Sequence, residues 1–466
     1  MGAPTPLFPR REERQRLDDW LTRQLLEVHK RIVEGPVTPT LDIGALRREL
    51  SGFDFAAPRS MDELLSWTIH TLETGLVHLT HPRYFGLFNP APVFPAECAD
   101  RIAGAINPQL ASSATSPAGV EIEAHVIRAV AARAGLPAQS GGHFTSGGSE
   151  ANFTALLSAL TRVEPDFAQH GARAFRGAPV FYTSRECHIA WLKIAHQTGI
   201  GRAALQQVPT DGRGRMDANA LAAAISADRA QGRVPVMIVS TAGTTGAGAI
   251  DPLGDCAEIA HKESIWHHVD AAWGGAVIAS ERLRGLLQGI ERADSITIDA
   301  HKWFATTMGC GMFITSQPAL LSAVFQVSTH FMPSNVASLD PYVNTAQWSR
   351  RFSGLRLFLA LSAVGWPGYG AHVESAVALI GSLQQRLARL SWTTANDPLL
   401  AVLCVEPPAG SPPARSIVER VVASGRAWVA PARYEGRDVV RICATHGESS
   451  EADLDELVAV LEAARR

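Results

Sequence analysis

Between Gly142 and about Ser316 the chain alternates short β-branched runs with stretches of helical period, and this alternation restricts the fold more than any other feature. The runs fall at 180–183, 236–240, 265–269, 296–298 and 312–314. They are apolar at consecutive positions, so both faces of each must be covered. Strand, helix, strand with doubly covered strands predicts an α/β fold: a mostly parallel sheet, helices on both faces and right-handed crossovers. Ligands in such sheets bind beyond the carboxyl ends of the strands, so the residues that follow each run are where chemistry is expected.

The flanking segments read differently. Leu17, Trp20, Leu21, Leu25 and Val28 form one stripe and predict a helix over 12–33, ended before Gly35 and Pro36. A second helix is expected over 61–79. Neither has a local partner, so the two read as an arm that lies on another surface, either a second copy of the chain or its own domain. Past residue 350 the pattern predicts a long helical stretch at 352–390, interrupted near 365–370. Strands at 400–405 and 439–444 and helices at 415–424 and 451–465 follow, the last opened by Ser449 and Ser450. The organisation expected is an N-terminal helical arm at 1–80, a large domain at 81–350 and a small α+β domain at 351–466. At 466 residues the chain exceeds the size at which one core stops growing.

Composition narrows the function. A hydrophobic share of 46% with 19% charged residues excludes a disordered chain. The net charge of −3 and the scattered arginines argue against a nucleic-acid partner. The six cysteines are too dispersed for a disulfide framework or a metal site, and read as reduced thiols. No run reaches the length of a signal-peptide core or a membrane span, so a cytoplasmic protein with no membrane contact is expected.

Two strand ends carry unusual side chains. Ser295-Ile-Thr-Ile-Asp-Ala-His-Lys-Trp-Phe304 ends in Lys302, and His268-Val-Asp-Ala-Ala-Trp273 ends a strand at Asp270. An amine that condenses with an aldehyde and a carboxylate that pairs with a protonated ring nitrogen are the two protein groups that pyridoxal phosphate requires. Singly, either residue is ordinary: lysines are usually solvated, and strand-end aspartates usually cap turns. A third segment, Thr145-Ser-Gly-Gly-Ser-Glu-Ala-Asn152, opens a helix with glycines and a serine, which suits a phosphate and equally suits a capped turn. It lacks the lysine of a P-loop. The loop Thr241-Ala-Gly-Thr-Thr-Gly-Ala-Gly-Ala-Ile-Asp251 brings Thr244, Thr245 and Asp251 to the same sheet edge, and His188 follows the strand at 180–183.

In this order the motifs resemble those of the group II pyridoxal-phosphate-dependent amino acid decarboxylases, which include aromatic amino acid, glutamate and histidine decarboxylases. His81-Pro-Arg-Tyr-Phe85, Ser116-Pro-Ala-Gly-Val-Glu-Ile-Glu123, Ser349-Arg-Arg-Phe352 and Arg441-Ile-Cys443 extend the likeness to about residues 65–461. The resemblance implies a fold-type I homodimer with pyridoxal phosphate as cofactor and a small-molecule amino acid as substrate. Lys302 would hold the cofactor covalently, Asp270 would pair with its ring nitrogen and His188 would stack on the ring. Gly148 and Ser149 would take the phosphate with His301 beside it, and Thr245, Asp251 and Ala272 would lie close by. Phe85, Leu87 and Phe88 would line the substrate pocket, favouring an apolar or aromatic side chain.

The expected reaction is removal of the α-carboxylate of an L-amino acid. Aldehyde formation, transamination or another bond cleavage on the same cofactor is the alternative, and a catalytically silent scaffold is a second one. The family usually has a loop tyrosine that returns a proton to Cα. Alignment through Phe325 puts Phe331 there, with His330, Ser328 or Tyr342 as the donor if the register slips. Some relatives with that replacement release an aldehyde instead of the amine.

Overall fold

The computed structural model describes residues 7–325 and 340–466. Its centre is a seven-stranded sheet: β1 (Gly141–Thr145), β2 (Pro179–Ser184), β3 (Leu205–Val208), β4 (Val234–Thr241), β5 (Trp266–Asp270), β6 (Ser295–Asp299) and β7 (Gly311–Thr315). The order is β1-β7-β6-β5-β4-β2-β3. Only β7 runs antiparallel to its neighbours, β1 and β6. The sheet is therefore mostly parallel, as its apolar runs predict.

Both faces are covered. On one, Phe181, Trp266 and Phe313 pack against Ala151, Ala155 and Ala159 of the helix Gly148–Val163 and Trp191 of the helix Ala190–Gln197. Across the sheet, Val180, Tyr182 and Ile238 meet Leu221 and Ile225 of the helix Ala218–Ala230 and Cys256 of the helix Leu253–Glu263. Side chains alternate across a strand, so Phe181 lies on one side while its neighbours Val180 and Tyr182 lie on the other. The small alanines let the helix Gly148–Val163 approach the sheet closely, which sets its N-terminus beside the ends of β5 and β6.

Two strands break the apolar rule in register. Trp266, His268 and Asp270 are alternate residues of β5, and Ser295, Thr297 and Asp299 are alternate residues of β6; His268 pairs with Ser295 and Asp270 with Thr297. A buried polar stripe therefore crosses the face under the helix Gly148–Val163. All six residues are at most 5% exposed.

A second, antiparallel sheet contains β8 (Thr393–Thr394), β9 (Val402–Glu406), β10 (Ala430–Tyr434) and β11 (Arg437–Cys443), ordered β10-β11-β9-β8. The helix Glu451–Ala464 packs near it, opened by a reciprocal cap between Ser450 and Asp453. The long helix Gly354–Arg389 breaks where expected: Gly365 has φ +63°, and Pro367 follows. In the arm, the helices Arg11–Glu34 and Met61–Gly75 are tied by Arg16–Asp62 and Arg31–Glu73 pairs. Leu25, Leu26, Leu72 and Leu76 remain exposed. Among the described residues no helix is long and apolar enough to cross a membrane.

Candidate active site

A cavity of about 310 Å³ opens beyond the carboxyl ends of β4, β5 and β6, against the first turn of the helix Gly148–Val163. Lys302, on the turn leaving β6, places Nζ 3.0 Å from Asp299 Oδ2. Asp299 is 3% exposed, and its Oδ1 has no partner. Asp270, at the end of β5, accepts a 2.8 Å hydrogen bond from Asn152 Nδ2 on Oδ2 and a 3.2 Å one from the Ala272 N–H on Oδ1.

Glycines shape the helix end of the cavity. Gly147 has φ +156°, a conformation that side chains rarely adopt, and a Cβ on Gly148 would stand 2.9 Å from Asp299 Oδ2. The opening N–H groups of a helix have no intrahelical acceptor and sit at the positive end of its dipole. Ser149 and His301 complete this wall. Opposite lie Thr245 and His188; His188 Nδ1 accepts from the Ala190 N–H at 3.2 Å, which leaves Nε2 as the protonated nitrogen of the neutral ring. Thr241 Oγ1 lines the cavity, buried and without a partner. Phe88 stacks on Trp273 (4.1 Å) and Trp273 on Trp303 (4.4 Å), a rigid aromatic column beside Lys302.

Most of the residues expected from the sequence thus converge: Gly148, Ser149, His188, Thr245, Asp270, Ala272, His301, Lys302 and Phe88 all line this cavity. Others lie elsewhere. Asp251 is buried behind the loop, its two oxygens held at 2.7 Å by the Met216 and Thr241 N–H groups, and burial pushes its carboxyl up to about 7. It lines a separate cavity of about 550 Å³ and braces the loop from the back. Phe85 is fully buried in the main core because its segment is stitched to the residues just before β10 and to β11 of the second sheet: its N–H donates to Trp428 O, and the Cys443 N–H donates to Phe85 O. Leu87 is 44% exposed and does not line the cavity. Phe331, His330 and Ser328 lie outside the described residues. Tyr342 is buried against Trp348, away from the cavity.

The sequence reading missed Asn152, Thr241, Asp299 and Trp273. Asn152 was hidden because asparagine at a helix start passes for a cap. The alternating polar residues of β5 and β6 were the available signal for the buried network beneath it.

The cavity offers an amine for an aldehyde, a buried acid for a ring nitrogen and a helix N-terminus for a phosphate, so its residues fit pyridoxal phosphate. Residues 48–396 match the pyridoxal-dependent decarboxylase conserved domain. The L-2,4-diaminobutyrate decarboxylase of Rhizobium meliloti (strain 1021) is 34% identical over 294 residues, 62% of this chain and 58% of that protein. The aromatic-L-amino-acid decarboxylase of Mus musculus is 28% identical over 447 residues, 91% of this chain and 92% of its own. Among solved structures, mouse CSAD in apo form superposes with a TM-score of 0.89 at 26% identity, covering 96% of this chain and 98% of that one. The fold of Oryza sativa TDC, solved with PLP and tryptamine, superposes with a TM-score of 0.91 at 24% identity, covering 99% of each chain. With a domain match across most of its length and a relative that matches 91% of it, the chain belongs to the pyridoxal-dependent decarboxylase family and is a pyridoxal-phosphate-dependent amino acid decarboxylase.

Proposed function

We propose that the enzyme removes the α-carboxylate of an L-amino acid with an apolar or aromatic side chain, with Lys302 as the cofactor-bearing lysine and Asp270 as the partner of the ring nitrogen. The observation that carries this reading is the convergence of Lys302, Asp270 and the glycine-opened helix end on one cavity walled by Phe88 and Trp273, with Trp303 stacked behind them. Pyridoxal phosphate, when bound, supplies a conjugated ring that accepts the electrons of the breaking bond to Cα. The chain's own residues do the rest. Lys302 supplies the nucleophilic amine, and Asp299 holds its Nζ at 3.0 Å. Asp270 would meet the ring nitrogen with a carboxylate fixed by two hydrogen bonds. Gly148 and Ser149 would offer N–H groups to a phosphate with His301 beside them, and His188 would stack on the ring.

Side-chain preference follows from the wall. The relatives' names span diamino, acidic and aromatic acids. Here the aromatic column favours a flat or apolar group over a second charge. Carbon dioxide release measured across the standard L-amino acids should be greatest with aromatic or large apolar substrates. A best rate with an acidic or diamino acid would overturn the preference while leaving the decarboxylase reading intact.

The working unit in this reading is a homodimer. The exposed Leu25, Leu26, Leu72 and Leu76 give the arm an apolar face suited to a second copy. Sedimentation equilibrium at micromolar concentration should return twice the chain mass; a monomer would count against it.

A further inference from the structure

Beneath Asp270 the bond from Asn152 continues into a series of buried hydrogen bonds that the decarboxylase reading does not use. Asn152 Nδ2 donates to Asp270 Oδ2 at 2.8 Å, and Asn152 Oδ1 lies 3.0 Å from His268 Nε2. His268 Nδ1 lies 2.8 Å from Ser295 Oγ, which lies 2.8 Å from Trp266 Nε1. Thr297 Oγ1 approaches His268 Nε2 at 3.3 Å. Asn152 is 3% exposed, and His268 and Ser295 are fully buried.

The proton positions along this series follow from its upper end. At the top, a carboxylate accepts, so Asn152 must turn its NH₂ to Asp270 and its oxygen to His268, which requires a proton on His268 Nε2. At the bottom, an indole N–H only donates, so Ser295 Oγ accepts from Trp266. With the ring proton on Nε2, His268 Nδ1 is the bare nitrogen and accepts the proton of Ser295 Oγ. The upper end thus assigns the tautomer, and the lower end is compatible with it. Burial pushes the His268 imidazole down to about 4, which agrees with one ring proton at neutral pH.

We propose that Asn152 and His268 are positioning residues for Asp270: every donor from Trp266 through Ser295, His268 and Asn152 points the same way, and the series fixes the orientation of the carboxylate that meets the cofactor's ring nitrogen. This rests on the reading of Asp270 as that partner. Aligned hydrogen bonds polarise one another in a water-free interior, so the last donor, Asn152 Nδ2, is stronger than an isolated amide. An alkyl side chain at 152 would remove the donor to Asp270 Oδ2 and leave His268 Nε2 with Thr297 Oγ1 alone.

The test combines variants with a measurement on the unsubstituted protein. In Asn152→Leu, cofactor affinity for the apoenzyme should fall and kcat should drop about 10–100-fold, the usual scale for supporting residues, with KM little changed. His268→Gln, whose amide can still donate to Asn152, should retain more of both than His268→Phe. Nitrogen-15 spectra of the apoprotein should show His268 protonated on Nε2 alone between pH 6 and 8. An Nδ1-protonated or doubly protonated His268 would overturn the proposal even if the variants fail to fold. So would cofactor affinity and kcat in Asn152→Leu equal to the parent's. Asp270→Asn separates the two levels: if it is crippled while Asn152→Leu is not, the series alone falls, and if Asp270→Asn is itself silent, the reading of Asp270 falls and takes the series with it.

Discussion

Lys302 Nζ sits 3.0 Å from Asp299 Oδ2, within one turn of chain at the end of β6. The lysine side chain is 22% exposed and the aspartate 3%, so the amine reaches into the cavity while its partner stays in the sheet. Lys302 is thus held by a side chain and contributes little to the core.

Lys302→Ala should abolish turnover and remove the borohydride-reducible absorbance of the bound cofactor, while far-ultraviolet circular dichroism stays that of the parent. A variant with full turnover would sink the assignment of the cofactor lysine.

Arg350 and Glu123 make a different kind of pair. Their side chains are 5% and 4% exposed. Glu123 also accepts from the Gly354 N–H at 2.9 Å, and Arg350 donates to Phe144 O at 3.1 Å. The pair joins the helix Pro117–Arg133 to the start of the long helix Gly354–Arg389. Glu123→Ala leaves a buried guanidinium and a helix N–H unpaired, so it should cost about 3–5 kcal/mol, read as a lowered urea midpoint. Loss below about 1 kcal/mol would mean that water takes the place of the carboxylate.

Legibility followed strangeness. A lysine between histidine and tryptophan at a strand end is rare enough to be read as chemistry, and four of the five apolar runs located the parallel core, the fifth becoming the antiparallel β7. Edge strands were not readable: β3, Leu-Gln-Gln-Val, is half polar, and β1 opens with Gly141 and Gly142. Both acquire strand geometry from their neighbours, because pairing decides what propensity leaves open. Asp251 shows the opposite failure. Sequence put it on the correct loop, but which face of a loop a carboxylate takes depends on which backbone N–H groups are free, here those of Thr241 and Met216.

His143 predicts how the fold responds to acid. It is buried on β1 with neither ring nitrogen partnered, and burial pushes its imidazole down to about 3. His267 is likewise lowered to about 3. Above the ordinary histidine value of 6.5 both native and unfolded chains carry these rings neutral, and the rings add no pH dependence. As pH falls below 6.5 the unfolded chain takes up protons that the native one refuses until about 3. Stability is therefore full at high pH and is lost on acidification, by about 1.4 kcal/mol per pH unit for each ring. His143→Phe should remove one such share, so its advantage over the parent should grow between pH 8 and pH 5.5. Denaturant midpoints that move in parallel at the two pH values would show that His143 is not buried as a neutral ring.

The last expectation concerns the product. Once carbon dioxide has left, Cα needs a proton, and the resemblance to the family implies a loop tyrosine as donor; a register carried through Phe325 would put Phe331 at that position. A phenyl ring has no proton to give. We propose that the electron pair at Cα is then open to oxygen, so that amino acid, oxygen and water yield aldehyde, carbon dioxide, ammonia and hydrogen peroxide. With the best substrate the enzyme should consume oxygen and release peroxide, and Phe331→Tyr should shift product toward the amine. The competing reading keeps simple decarboxylation with His330 as the donor. It stands if the unsubstituted enzyme yields only amine, consumes no oxygen, and loses its rate on His330→Ala.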